Sequence, residues 1–345
     1  MFSALRASVF AMSLLSTDNR VRLQTRQLFP DGFANELPFV SPVGTRLTAA
    51  HFTPRCCRDL RAAAALFDAP LREAAAQGSP FVAFPELSGL ALLGLLPRCE
   101  RVLASLRRRF SAEAGRAGAA REAVQIAQGF LSETFLNMFS VLARGHRMLI
   151  AAGGFYVWEE GALRNRQYLF AENGDLLGYQ DKMILSDFER AMGVVPCGKL
   201  EPMETRIGRI ALLTASCARH YEPFAVASGL GCRVATVGAS PFGEDLSPLA
   251  ARAREQALVL VSAGLGASAP FFLSEESAPR VFLPQGGVRS LPADAEGAAA
   301  LTARVDLSGA PLFDHYTADR NPAFFASLLA GDAPDADAVL VEMGK

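Results

Sequence analysis

Three residues in this chain have side chains that could together cleave a bond to a carbonyl or nitrile carbon: Cys217, Glu86 and Lys182. A cysteine attacks such a carbon as its thiolate. A carboxylate takes the thiol proton, passes it to a leaving amine and then activates water. An ammonium beside the developing oxyanion stabilises it, with a backbone N–H such as that of Ala218 as the second donor. Each residue also has a plainer reading. A free cysteine is commonly buried and inert. A glutamate after a proline commonly caps a helix or faces solvent, and a hairpin lysine is commonly exposed.

The elements that must position these residues are legible around them. Ile207 and Ile210 to Leu213 form a near-continuous apolar run, which predicts a strand covered on both faces. It stops at Thr214-Ala215-Ser216, Cys217 follows, and Phe224 to Leu230 predicts a helix. Cys217 therefore falls where a strand hands over to a helix, a setting that favours an anion. A second buried strand is predicted over Arg233–Val237. Phe81–Phe84 is a short apolar strand running straight into Pro85-Glu86. Arg164–Phe170 and Leu176–Lys182 flank Glu172-Asn173-Gly174-Asp175, a hairpin signal that delivers Lys182 at the end of its second strand.

Elsewhere the pattern predicts a strand over Thr45–Phe52 and a helix over Asp59–Gln77, interrupted at Pro70 and ended by Gly78. A separate helix over Ser132–Ala143, with Ser132 as N-cap and Gly145 as stop, precedes a strand over Met148–Phe155. Leu249–Ala257 reads as a helix and Leu258–Ala263 as a strand. A hairpin at Arg280–Leu283 with Gly286-Gly287 and a last strand at Thr302–Asp306 follow. Residues 1–43 read as an N-terminal extension, 44–308 as one domain, and 309–345 as a Pro/Asp/Ala-rich extension packing on the body or a neighbouring subunit.

Composition narrows the function class. The 345 residues are 50% hydrophobic and 20% charged, with a net charge of -1, which gives no footprint for nucleic acid or an anionic membrane. Arg107-Arg108-Arg109 has no interleaved aromatic residue and reads as a solvated face. No apolar run approaches the roughly 20 residues of a membrane span. The N-terminus, with Arg6 alone and an apolar run broken by serines, admits an export or organelle-targeting peptide within residues 1–20. The favoured reading is an amphipathic extension. Six cysteines without a C-x-x-C read as reduced thiols of a cytoplasmic protein. Four scattered histidines give no zinc pattern, so no metal is expected.

In fixed order the chain carries FVAFPEL (81–87), NRQYLFAENGDLLGYQDKMIL (165–185) and IGRIALLTASCARHYEP (207–223), with a weaker match at ARAREQALVLVSAG (251–264). These motifs resemble those of the nitrilase superfamily of carbon–nitrogen hydrolases, over about Thr45 to Asp306. The resemblance implies an α/β fold, a four-layer α-β-β-α sandwich of two stacked sheets. It implies Glu86, Lys182 and Cys217 as catalytic residues, a thioester intermediate, no cofactor and a homo-oligomer. The substrate implied is a small amide or N-carbamoyl compound. Acyl transfer from the same thioester, and a silent member acting as a binding protein, are the alternatives.

Ala218 and Arg219 stand where many members have an aromatic residue and an acid, and nitrile-cleaving members Trp and Glu, which disfavours a true nitrilase. Arg219 would then pair with a substrate carboxylate or, equally, with a local acid such as Glu222. Glu189 stands where a second glutamate orients the lysine in many members; a solvated loop carboxylate is the alternative. A Cys217–His220 dyad is disfavoured by their closeness in sequence. The segment from Leu90 to Phe130 is long for the family and is expected to cover the pocket mouth.

Overall fold

The computed structural model describes residues 2–15, 18–33, 37, 40–53, 57, 59–96, 113–241, 243–266, 277–291 and 299–308. The Arg107–Arg109 run, His315 and the whole 309–345 extension fall outside the described residues. In chain order the elements are α1 (Phe2–Leu15), α2 (Asp18–Arg26), β1 (Val43–Phe52), α3 (Leu60–Ala76), β2 (Phe81–Ala83), a 3-10 stretch (Ser88–Leu95) and α4 (Glu113–His146). Then come β3 (Leu149–Ala151), β4 (Phe155–Glu159), β5 (Ala162–Phe170), β6 (Leu176–Asp181), α5 (Asp187–Met192), β7 (Met203–Thr205), β8 (Gly208–Thr214) and a 3-10 turn (Ala215–Arg219). The remainder is α6 (Glu222–Gly229), β9 (Val234–Gly238), α7 (Leu249–Glu255), β10 (Val259–Ser262), β11 (Gly264–Leu265), β12 (Arg280–Phe282), β13 (Val288–Ser290) and β14 (Ala300–Asp306).

The strands form two sheets. The eight-stranded sheet runs β11-β1-β2-β3-β5-β4, with β14 also on β1 and β6 also on β5. The six-stranded sheet runs β13-β12-β10-β9-β8-β7. Strand alternation then dictates the layers. Leu47, Ala49, Phe81 and Ala83 of the first sheet face Ile210, Leu212, Val234 and Val259 of the second in one core between the sheets. Their sequence neighbours point the other way. Ala50, Phe52, Val82 and Phe84 pack under α3 and α4, and Ala211, Leu213, Ala235 and Leu260 pack under α6 and α7. Two stacked sheets with helices outside are the outcome, and β2, β3 and the Ile210–Leu213 run of β8 are apolar on both faces, as their continuous runs required.

The helical layer over the first sheet is built around aromatic residues. Phe67 stacks on Phe52, with ring centroids 5.0 Å apart, and meets Phe139 edge to face at 5.1 Å. Such pairs add about 0.5–1.5 kcal/mol each beyond area burial. The first two helices close this layer from outside. Val21 is fully buried in the same core, Arg22 Nε donates to Asn137 Oδ1 at 2.7 Å, and Asn137 Nδ2 donates to Asp18 Oδ1 at 2.8 Å. No helix among the described residues is long and apolar enough to cross a membrane.

Three elements differ from their predicted form. The helix expected to break at Pro70 runs unbroken from Leu60 to Ala76, capped by Asp59, whose side chain accepts from the Ala62 N–H at 2.8 Å. Pro70 forfeits one backbone hydrogen bond. The helix persists because Phe67, Pro70, Leu71 and Ala74 are all buried on its core side. The helix expected to start at Ser132 is the second half of α4, which has 34 residues. Gly145 does not stop it but lies inside it under Phe29, where an added Cβ would sit 2.2 Å from the ring. The strand expected over Met148–Phe155 is two strands, because Gly153 and Gly154 at φ +82° and +96° break the extended backbone.

Candidate active site

Glu86 follows the C-terminal end of β2, which is parallel to both its neighbours β1 and β3. Its segment is clamped between the two sheets. The Glu86 N–H donates across to the Ala239 carbonyl, just after β9, at 3.1 Å. A Cβ on Gly238 would lie 2.7 Å from the Glu86 nitrogen, and one on Gly153 would lie 2.0 Å from the Pro85 oxygen. Glycine at these two positions is what lets the backbones approach. Ser88 Oγ donates to the Ala152 carbonyl at 2.6 Å, fixing the chain just beyond. Between them Leu87 takes a left-handed φ of 56°, uncommon for a leucine and locally strained.

Lys182 follows β6, where its N–H donates to the Asn165 carbonyl at 2.8 Å and its own carbonyl accepts from the Cys197 N–H at 2.9 Å. Its ammonium is 2.7 Å from Glu86 Oε1, 2.8 Å from Glu189 Oε2 and 3.8 Å from Glu244 Oε1. Glu189 is wholly buried rather than a solvated loop carboxylate. It completes a capping box at the start of α5, where Glu189 Oε2 accepts from the Ser186 N–H and Oγ, both at 2.9 Å. Asn165 of β5 bridges the two glutamates, its Nδ2 donating to Glu86 Oε1 and Glu189 Oε1, each at 2.7 Å.

Cys217 lies in the 3-10 turn after β8, fully buried, with Sγ 3.7 Å from Thr214 Oγ1. This corrects its predicted setting. Cys217 sits inside the 3-10 turn, and the next α-helix starts only at Glu222. Burial pushes the Cys217 thiol up, and the opposing pull of Thr214 and Lys182 does not reverse this. Its surroundings therefore favour the thiol over the thiolate. The charged side chains acting on it include Lys182 and Glu86, so the three residues named from sequence come together.

Glu86 is the carboxylate beside Lys182 whose value is raised. Burial raises it, Lys182 opposes this, and Glu189 and Glu244 add to it, leaving Glu86 at about 7. Glu189 sits in the same burial but is held below its ordinary value by Lys182, Ser186 and Asn165. Burial works against the Lys182 charge, and Glu86, Glu189 and Glu244 more than offset it, so the amine stays protonated. The result is a fixed cation, a fixed anion and one carboxylate poised to exchange a proton near neutral pH.

Of the remaining candidates, Ala218 is buried beside Cys217. Arg219 is exposed, and its charge bears on Asp245, which the Ser247 N–H and hydroxyl chiefly hold low. The His220 N–H donates to the Cys217 carbonyl at 2.9 Å, a turn contact. Glu244 and Asn165 belong to the cluster but were not singled out from sequence. Asn165 had a signal, an amide that opens the 165–185 motif on a strand ending in the apolar Tyr168-Leu169-Phe170. Glu244 had none, since its neighbours Gly243 and Asp245 give it the look of a solvated loop. Among the described residues no group of three or more His, Cys, Asp or Glu could hold a metal ion.

Comparison with known proteins agrees with this architecture. Residues 49–260 match the carbon-nitrogen hydrolase family, and the chain belongs to that family. Its fold is similar to that of the NitFhit protein of C. elegans, with a TM-score of 0.56 at 17% identity over 77% of this chain; the match spans 62% of NitFhit. It is similar to the amidase from Nesterenkonia sp. AN1, with a TM-score of 0.53 at 19% identity over 82% of this chain and 99% of the amidase. Saccharomyces cerevisiae Nit3, a member of branch 10 of the nitrilase superfamily, gives 0.53 at 14% identity over 77% and 92% of the two chains. No curated protein matches. The resemblance to the nitrilase superfamily drawn from the three motifs is borne out, and so is the stacked-sheet fold it implied.

Proposed function

We propose that this protein is an amidase-type hydrolase that works through a thioester on Cys217. Glu86 takes the thiol proton as the sulfur attacks the carbonyl carbon. The tetrahedral oxyanion is met by the Lys182 ammonium and the Ala218 N–H. Glu86 returns the proton to the departing amine as the C–N bond breaks, leaving the acyl group on sulfur. Water then gives a proton to Glu86, attacks the thioester and expels the thiol, which recovers its proton, so the acid is released and the enzyme is restored.

The observation that carries this reading is the buried Glu86–Lys182 contact of 2.7 Å, with Glu86 held at about 7. Glu189 and Asn165 orient the lysine and the base. The Nesterenkonia amidase, whose structure carries acrylamide added at its active-site cysteine, supports a cysteine in this role. A small amide or N-carbamoyl compound is the substrate class, and the protein acts in the cytoplasm as a homo-oligomer.

The test is a panel of short amides and N-carbamoyl compounds assayed with wild type beside Cys217→Ala. Turnover by wild type that is absent in the variant is expected, and equal turnover by both removes the proposal. Added hydroxylamine that diverts product to a hydroxamate traps the acyl-enzyme.

A further inference from the structure

Glu244 stands on the loop between β9 and α7, and its carboxyl reaches into the cluster from the six-stranded sheet. Its side chain is 5% exposed and lies 3.8 Å from the Lys182 ammonium. Glu244 Oε1 also accepts from the hydroxyl of Ser216, the residue before Cys217, at 3.2 Å. Its other oxygen, Oε2, is buried without a hydrogen-bond partner among the described residues. A buried carboxylate oxygen left without a donor is costly, so a ligand that supplies one gains what the empty site lacks. Glu86 Oε2 is buried and without a donor in the same way.

The charge count points the same way. Three carboxylates, Glu86, Glu189 and Glu244, surround one ammonium. A cationic group entering this cluster is attracted, and a carboxylate is repelled in a medium that screens little. The exposed Arg219 does not balance the count, since its charge bears on Asp245.

We propose that Glu244 is a specificity-determining residue, whose Oε2 accepts a hydrogen bond from an ammonium on the substrate a few bonds from the scissile amide. The substrates of this site are then short amides that also carry an amine, and anionic amides are excluded. The inference rests on the reading of Cys217 as nucleophile for its turnover arm, but not for its binding arm.

The test compares three ligands: β-alaninamide, its neutral isostere butyramide, and succinamate, which carries a carboxylate instead. For wild type, kcat/KM is expected to fall in that order. In Glu244→Gln, which keeps an acceptor for Ser216, the preference for β-alaninamide over butyramide is expected to drop about 10-fold or more, mainly through KM. A preference unchanged in Glu244→Gln, or a wild type that favours succinamate, overturns the proposal. Should Glu244→Gln fail to fold, Glu244→Asp keeps the charge but withdraws it by one methylene, and an undiminished preference there counts against the idea equally. If wild type turns over none of the three, binding replaces turnover as the readout. Calorimetric binding of β-alaninamide to Cys217→Ala, with and without Glu244→Gln, then decides. Binding weakened by the second substitution supports the role of Glu244, and absent or unaltered binding ends it.

Discussion

Asn165 holds Glu86 in place: its Nδ2 donates to Glu86 Oε1 at 2.7 Å and, from the same nitrogen, to Glu189 Oε1 at 2.7 Å. One amide group thus sets the spacing of the two carboxylates that flank Lys182. Asn165→Leu keeps the strand and the approximate volume but removes both hydrogen bonds. Bonds to charged acceptors contribute about 1.5–3 kcal/mol, so kcat/KM is expected to fall about 10- to 100-fold. Thermal stability should fall as well. Full activity in Asn165→Leu would show that the lysine alone positions the base.

The position of Glu86 near 7 predicts the acidic limb of the pH–rate profile. In the proposed mechanism Glu86 is ionised when it accepts the thiol proton, so kcat/KM of wild type should rise with pH and level off above about 7. Stability carries the opposite sign. The folded protein binds the Glu86 proton more tightly than the unfolded chain does between the ordinary carboxylate value of 4.5 and about 7. The contribution of this group to stability is therefore greatest below that window and is lost as pH rises through it. Glu86→Gln should be inactive, and its unfolding free energy should lose this component of pH dependence when followed by urea titration at pH 5 and pH 8.

Glu189 has two duties that can be separated. It pairs with Lys182 and it caps α5 through Ser186. Glutamine can serve in a capping box, so Glu189→Gln removes the charge and keeps the cap, whereas Glu189→Ala removes both. Breaking one side of a buried ion pair costs about 3–5 kcal/mol. Both variants should lose activity, and Glu189→Ala should unfold at lower urea than Glu189→Gln. Equal midpoints would deny the cap any share in the stability.

Thiol reactivity should follow burial rather than function. Cys197 is half-buried, whereas Cys57, Cys217 and Cys232 are buried. Burial pushes Cys232 up to about 12 and holds Cys217 above its ordinary value as well. A bulky disulfide reagent at pH 8 should therefore modify Cys197 before these three, read by mass spectrometry of the labelled peptides. Faster modification of Cys217 would mean that the sulfur is a standing thiolate open to solvent.

The parts of the fold and site that could be read in the sequence share a physical cause. Glu86 and Cys217 each follow an apolar strand, where a polar residue has few structural reasons to be, Lys182 ends a hairpin marked by Asn173-Gly174, and their motifs name the family. The central strands were legible because both of their faces are buried, which leaves runs such as Ile210 to Leu213. The helix α4 was not read whole because it is covered on more than one side. Phe135 and Phe139 face the sheet side, Asn137 ties to α2, and Val124 packs in a separate cluster with Tyr156 and Leu163. Apolar residues all round blur the helical period. Glu244 was hidden for a different reason: a loop carboxylate declares its role only through what the rest of the chain folds against it.

The Glu86 carboxyl and the Cys217 sulfur are carried by different sheets. Glu86 follows β2 and Lys182 follows β6 of one, while Cys217 follows β8 and Glu244 follows β9 of the other. Polar contacts that cross between them include Glu86 N–H to Ala239, Gln167 Nε2 to Leu213 and Lys182 to Glu244. The distance between Glu86 and Cys217 is thus a readout of how the two halves of the sandwich slide on their shared layer of Leu47, Phe81, Ile210 and Val259. Trimming a methylene from that remote layer should mistune turnover well before it melts the molecule, which makes the deepest and least polar part of the protein a dial for its chemistry.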